Sequence, residues 1–288
     1  LASWLKDHSP PLTRDVKIYF VHHGADIMVS GFSTGVPDDS NEVLKKLKAK
    51  PSFLMVGTIE PRKGYLQAIA AFDRLWNKGC EVNLVIVGKE GWKHLPDHQR
   101  RTIPKIVAVL RRHKELGNRL FWLDKVSDEY LEKIYDTCTC LIMASEGEGF
   151  GLPLIEAAQH KLPIITRDIP VFREVAGEHA FYFSGLEPEA LVDAVTTWLD
   201  LYKEGRHPKS DNMPWLTWKD STRNLVDILL GRKEPYLIVK TDAKIMPGAE
   251  LDFRSGKLNF IGWSCPEPNF RWSLGNRSVI EFETGDFS

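Results

Sequence analysis

The chain has 288 residues, 43% of them apolar and 27% charged, with a formal net charge of −1. That length suits one large domain or two modest ones, and the balance is that of an ordinary globular protein. The near-zero charge gives no electrostatic case for nucleic acid or an anionic membrane as partner, and no apolar run reaches the length of a membrane-crossing helix.

Residues 16–21 (Val-Lys-Ile-Tyr-Phe-Val) read as a strand, and His22-His-Gly-Ala-Asp26 then leads into a polar stretch over 30–41. From residue 42 onward, strands and helices alternate. A short buried strand is predicted over 53–57, and the helix after it carries Ile69, Phe72 and Trp76 on one stripe. A second strand covers 82–88, and a polar helical region runs from about 96 to 114. The third strand, 119–123, precedes a helix over 127–136 that Ser127 caps and Glu129 favours from its first turn. Strands follow over 140–144, 162–166 and 180–183. The helix over 188–202 has an apolar stripe at Leu191, Val195, Trp198, Leu199 and Tyr202. Repeated strand–helix units of this length predict an α/β fold with a doubly wound parallel sheet.

Met213-Pro-Trp-Leu-Thr-Trp218 interrupts the pattern before a last helix, about 218–230. Beyond Gly231 the segments 236–240, 251–253, 258–261 and 279–282 alternate or run short between Pro-Gly, Ser-Gly and Gly-Asn turns. This segment is β-rich and too small to be a comfortable domain alone. Cys80, Cys138, Cys140 and Cys265 fit neither a disulfide framework nor a zinc spacing. Cys138 and Cys140 are expected to share one face of a strand. With no secretory signal at the start, a reducing cytoplasm is the expected location.

Two segments carry chemistry. In Glu148-Gly-Phe-Gly-Leu-Pro-Leu-Ile-Glu156, two carboxylates stand eight residues apart around a Gly-x-Gly turn. A strand precedes the turn, and Pro153 suits the first turn of the helix after it. Such a junction brings backbone N–H groups and a helix N-terminus to the carboxyl edge of a sheet, where phosphate-bearing ligands bind. Carboxylates there make sense if they meet hydroxyls: a sugar ring for Glu148 and a ribose for Glu156. In Val56-Gly-Thr-Ile-Glu-Pro-Arg-Lys-Gly64, Gly57 permits close backbone approach, and the adjacent cations Arg62 and Lys63 suit a diphosphate. Alone, the second segment would read as a solvated basic turn and the first as a helix-dipole partner. Together in one α/β domain they favour the functional reading.

The Glu-x7-Glu pattern, followed by Pro163-Ile-Ile-Thr and Pro170-Val-Phe-Arg-Glu-Val-Ala-Gly177, resembles the retaining glycosyltransferases of family 4. These are the group 1 enzymes with a GT-B fold, and the chain is similar to the mannosyltransferases of bacterial polysaccharide assembly. The resemblance covers residues from about 16 to about 230. It implies a Rossmann-like C-terminal half of a GT-B fold that binds a nucleotide diphosphate sugar, GDP-mannose being favoured. Arg62 and Lys63 would stabilise the leaving diphosphate, Glu148 would contact the donor sugar, and Glu156 the ribose. The backbone of Gly149, Phe150, Gly151 and Leu152 would lie against sugar and diphosphate, where a Cβ would obstruct the approach. Gly57 would line the same cleft, and Lys125 and Val126 fall in the loop that meets the base. Neither a metal nor any other cofactor is implied, and no Asp-x-Asp motif is present.

The organisation implied is a tail of a mostly absent N-terminal domain with its linker over 1–30, and the nucleotide-sugar domain over 31–212. A return helix over 213–231 and the β-rich segment over 232–288 follow. Expected partners are the nucleotide sugar, a glycan or lipid-linked glycan acceptor, and the missing N-terminal domain of the same chain, but no nucleic acid. Peripheral contact with the inner face of the cytoplasmic membrane is compatible with this reading. The isolated segment is expected to have little or no activity. Two other readings stay open: a sugar synthase of the same fold, and a non-catalytic carbohydrate-binding module using Trp263 and Trp272. His22 and His23 have no ligand-spaced partners. Arg173 and Glu174 read as an exposed helix turn with a structural ion pair, and Trp198, Trp215 and Trp218 as packing.

Overall fold

The structure, a computed structural model, describes residues 16–26, 35–38, 40–235, 237–239, 258–261 and 279–282. The chain divides into two compact units: residues 27–214, and residues 1–26 with 215–288.

The larger unit holds a six-stranded sheet built from β2 (Ser52–Val56), β3 (Asn83–Val87), β4 (Leu120–Leu123), β5 (Cys140–Met143), β6 (Ile164–Arg167) and β7 (Phe181–Phe183). Every adjacent pair is parallel, and the order across the sheet is β4-β3-β2-β5-β6-β7. The first strand thus sits beside the fourth, and the later strands add outward on both sides, the arrangement of a doubly wound nucleotide-binding fold. β2, β3, β5 and β6 are near-continuous apolar runs because helices cover both faces.

The helices are α1 (Ser40–Lys48), α2 (Tyr65–Asn77), α3 (Ile103–Arg112), α4 (Asp128–Thr137), α5 (Leu152–Gln159), α6 (Pro170–Ala176) and α7 (Pro188–Lys203). Ile69, Phe72 and Trp76 of α2 are buried as their stripe predicts, with Phe72 edge-on to Phe53 at 5.5 Å and Phe53 edge-on to Trp198 at 5.7 Å. Aromatic pairs in this geometry add to simple area burial. At the amino edge of the sheet, the buried Ser52 donates to the Leu47 carbonyl (2.7 Å) and accepts from Asn83 Nδ2 (3.0 Å), so its polar atoms are satisfied.

In the smaller unit β1 (Val16–Ile18) pairs antiparallel with β8 (Leu237–Val239), Val16 opposite Val239. A helix, α8 (Trp218–Leu229), is capped by Thr217, whose hydroxyl accepts from Asp220 N at 3.0 Å. Ala25 N donates to the Leu216 carbonyl (2.9 Å) and Ser221 to the His22 carbonyl (2.7 Å), tying the early strand region to α8. A second antiparallel pair joins β9 (Leu258–Ile261) to β10 (Val279–Phe282).

Some expectations need correcting. Cys138 lies outside β5, at the end of α4, although it is buried like Cys140; the chain reaches the sheet only at residue 140. Trp198 is core, but Trp215 and Trp218 are 40% and 47% exposed and do not pack as interior residues. The ion pair expected of the exposed turn at Arg173 is present, with Asp168 as its partner at 2.7 and 2.8 Å, and Arg173 stacks over the Tyr182 ring. The predicted strand at 251–253, Trp263, Trp272, Cys265 and most of the stretch over 30–41 lie outside the described residues.

Candidate functional site

The strand order reverses between β2 and β5, since β3 and β4 continue to one side and β6 and β7 to the other. In open parallel sheets of this kind the crevice outside the carboxyl ends at the reversal is where ligands bind. The two segments singled out in the sequence are the loops that leave β2 and β5 at this point.

The loop after β2 tightens into a 3₁₀ turn over Pro61–Lys63 and enters α2 through Gly64 in the left-handed region (φ +73°). A Cβ on Gly64 would stand 2.3 Å from the Ala144 carbonyl oxygen, so only glycine lets the two loops touch. Three further contacts join them: Glu146 N donates to the Arg62 carbonyl (2.8 Å), Arg62 Nη1 to the Gly147 carbonyl (2.7 Å), and Arg62 Nη1 to Glu148 Oε2 (2.5 Å). Beneath them the buried Tyr65 hydroxyl donates to the Gly57 carbonyl (2.5 Å). Burial pushes that phenol up, aided by Glu60 and Glu148, which keeps it protonated and donating.

Glu148 is the centre of the arrangement. It is 8% exposed and receives Arg62 on one oxygen, and Lys63 and the Ser145 hydroxyl (3.0 Å) on the other. Arg62 also lies 3.3 Å from Glu60. Burial pushes the Glu148 carboxyl up, but Lys63 and Arg62 outweigh it, so the net direction is down and the group is ionised. Two cations and two anions thus share one mouth of the crevice, with Lys63 more enclosed than Arg62.

The turn after Glu148 divides its glycines by cause. Gly149 is exposed, and a Cβ there would meet nothing within 4 Å. Gly151 caps α5 in the left-handed region (φ +95°), where a Cβ would press on the Phe172 ring at 3.0 Å and on Leu154 at 3.2 Å. At Gly151 the chain's own packing and the left-handed backbone already require glycine, whatever lies against it. Phe150 is half-buried, and Leu152 is 39% exposed at the start of α5, followed by Pro153.

Glu156 follows one turn into α5 and accepts from the buried Tyr135 hydroxyl at 2.6 Å. Burial raises its carboxyl, against the opposing pull of Tyr135, His160 and Lys63. Lys125 is exposed and Val126 half-buried in the loop after β4, just before Ser127, which caps α4 by accepting from Tyr130 N (3.2 Å). The structure thus brings Arg62, Lys63 and Glu148 into direct contact, while Lys125 and Val126 belong to a separate loop of the same edge.

Sequence reasoning missed Ser145, Tyr65, Tyr135 and Arg167. Arg167, at the carboxyl end of β6, is 5% exposed. Its guanidinium donates to the carbonyls of Ala144 (2.9 Å), Ser145 (3.2 Å) and Gly185 and to the Gln67 side-chain oxygen, over the Phe183 ring at 5.1 Å. Burial pushes its pKa down. An arginine closing a short strand that is buried along its length was the signal that could have found it. Among the described residues, no group of three or more His, Cys, Asp or Glu side chains is arranged to hold a metal ion, and no helix is long and apolar enough to cross a membrane.

Comparison with known proteins adds findings of three kinds. The sequence model of the family described as "Glycosyl transferases group 1" matches residues 38–212. The chain is 52% identical over 205 residues to the serotype-specific mannosyltransferase WbdA of Escherichia coli, covering 71% of this chain but 24% of that protein. It is 30% identical over 158 residues to the O-antigen chain mannosyltransferase RfbU of Salmonella typhimurium, covering 54% of this chain and 41% of that one. The chain therefore spans about a quarter of the length of WbdA. Among solved structures, Anabaena HepE in complex with UDP-glucose aligns with a TM-score of 0.54 at 16% identity, over 68% of this chain and 54% of that one. The sucrose-phosphate synthase of Thermosynechococcus elongatus aligns with a TM-score of 0.53 at 22% identity, over 68% and 50%. At these identities the likeness is one of fold.

Proposed function

Since the chain belongs to the group 1 glycosyl transferases, we propose that it is the donor-binding domain of a retaining mannosyltransferase in bacterial O-antigen assembly. The observation that carries this reading is the contact of Arg62 and Lys63 with Glu148 at the strand-order reversal. A nucleoside diphosphate sugar laid in the crevice places its diphosphate against Arg62 and Lys63 and its hexose beside Glu148. The ribose falls to Glu156 and the base to the backbone of Lys125 and Val126. GDP-mannose is the favoured donor, because the relatives named above are mannosyltransferases.

In the reaction the acceptor hydroxyl oxygen bonds to the anomeric carbon as the carbon–oxygen bond to the diphosphate breaks, and the hydroxyl proton passes to the departing diphosphate. Charge grows on the departing diphosphate, and two preplaced cations meet it there without reorganisation. Fixed donors of this kind are worth most in a site that excludes water. That role for Arg62 and Lys63 supports catalysis without a metal. The acceptor, a glycan or lipid-linked glycan, and part of the donor site are assigned to an N-terminal domain of a longer polypeptide working at the cytoplasmic side of the membrane. The short span of the match on its relatives supports a longer polypeptide.

Calorimetric titration of the chain with GDP, UDP and dTDP, with and without EDTA, tests the reading. Saturable binding of GDP, indifferent to EDTA and lost in the Arg62→Ala/Lys63→Ala double variant, is the expected result. A folded chain and a longer polypeptide that both bind none of the three would end it.

A further inference from the structure

Tyr135 is fully enclosed near the end of α4, and its hydroxyl hydrogen-bonds Glu156 Oε2 at 2.6 Å. Its ring is enclosed and lies parallel to the His160 ring (8° between planes, centroids 5.1 Å apart), whose Nδ1 meets Asp136 at 2.7 Å. By helical rise, Tyr135 stands about 12 Å along α4 from its Ser127 cap, while Glu156 is about 6 Å along α5 from Leu152. Both helices start at the carboxyl edge, so the phenol meets the carboxylate from its inner side. One carboxylate oxygen is thereby committed to the protein. A phenol that burial keeps protonated can only donate to an ionised carboxylate, so it favours the acceptor form that binds hydroxyls. The helix that holds this phenol also begins at the loop assigned to the base.

We infer that Tyr135 is a positioning residue for nucleotide recognition: it fixes Glu156 so that the remaining carboxylate oxygen selects a ribose over a sugar lacking its hydroxyls. The inference rests on the proposed ribose role of Glu156. Loss of the phenol frees the carboxylate to rotate, and recognition of the hydroxyls is what suffers, while diphosphate and base contacts are untouched.

The test compares GDP and UDP with their 2′,3′-dideoxy counterparts by calorimetry on the full chain. The native chain is expected to prefer the ribonucleotide by about tenfold or more, the usual scale of a hydrogen bond to a charged group. Tyr135→Phe brings that preference close to unity and leaves the dideoxy affinity within about twofold. Glu156→Gln also removes the preference, and adding Tyr135→Phe to it changes nothing further. Equal weakening of both nucleotides in Tyr135→Phe means a merely structural role and overturns the inference, as does a preference that survives the substitution. A native chain that binds both forms equally overturns the ribose role of Glu156 and the inference together but leaves the donor site standing. Binding of none of GDP, UDP and dTDP by either the folded chain or the longer polypeptide overturns the donor reading and this inference with it.

Discussion

Arg62 and Glu148 are 86 residues apart in sequence and 2.5 Å apart in space, and Lys63 holds the other oxygen of the same carboxylate. The cations assigned to the diphosphate are therefore already partnered, by a group assigned to the sugar. Binding a donor replaces or shares these contacts rather than filling a set of free charges. An anion of two or more charges competes well for two adjacent cations, and a neutral sugar does not.

Truncating Lys63 tests how that triad is balanced. Burial already pushes the Glu148 carboxyl up, and Lys63 is the largest opposing influence, so Lys63→Ala moves its titration upward. In the native chain the folded carboxyl lies below its unfolded value. Its contribution to stability is then present above the unfolded pKa and lost as pH falls through the folded one. Lys63→Ala is expected to lose about 1–3 kcal/mol at pH 7 and to unfold in acid at a higher pH than the native chain. A urea melt at pH 7 and an acid titration of folding measure the two, and an unchanged acid midpoint would show that Glu148 does not depend on Lys63.

Glu156 has the opposite sign. Burial raises its folded carboxyl above the unfolded value, so its share of stability is complete below the unfolded pKa and declines as pH rises through the folded one. Glu156→Gln keeps an acceptor for Tyr135 and removes the charge. It is expected to raise the melting temperature by about 2 °C at pH 8, with the gain disappearing near pH 4. The same variant should lose ribose recognition, a trade of function for stability. Thermal melts across pH decide it, and a variant less stable than the native chain at pH 8 counts against the assignment.

The sheet was legible because its strands are apolar runs separated by amphipathic helices, and Ile69, Phe72 and Trp76 lie where a period of 3.6 places them. Strand order was not, since nothing in Ser52–Val56 or Cys140–Met143 says that they are neighbours. Arg62, Lys63, Glu148 and Glu156 stood out because an Arg-Lys pair and two carboxylates spaced around a Gly-x-Gly turn follow strands of one α/β domain, where either segment alone would have read as ordinary. Tyr135 did not, because a tyrosine on a buried helix stripe looks like core until the partner of its hydroxyl is known. Arg167 escaped for a related reason: its acceptors are mainly backbone carbonyls, which no side-chain pattern encodes.

Arg167 is expected to be costly to replace even by lysine. Its planar fork serves carbonyls on both sides, at Ala144 and Gly185, and a lysine ammonium cannot reach both at once. Arg167→Lys leaves buried acceptors without donors and should cost about 2–4 kcal/mol in a urea melt. Its carbonyl partners at Ala144 and Ser145 lead into the segment ending at Glu148, so GDP affinity should fall as well. A variant that loses less than about 0.5 kcal/mol would show that the fork is dispensable.

Gly64 and Gly149 separate two reasons for glycine at one crevice. At Gly64 a Cβ would collide with the Ala144 carbonyl at 2.3 Å in a backbone conformation that L residues avoid. Gly64→Ala should therefore cost about 3 kcal/mol or more before any ligand is added, from steric displacement and left-handed strain together. At Gly149 a Cβ meets only open space, so Gly149→Ala should stay within about 0.5 kcal/mol of the native chain. No described neighbour asks for glycine there, so the variant tests the proposed approach of a ligand without disturbing the fold. If the donor lies against this backbone, Gly149→Ala weakens GDP-mannose binding by about tenfold in a fully stable chain, the effect of one displaced hydrogen bond or contact. Calorimetry beside a thermal melt reads both quantities from the same sample. Unchanged affinity in the stable variant would move the donor away from residues 149–152 and toward the loop after β2.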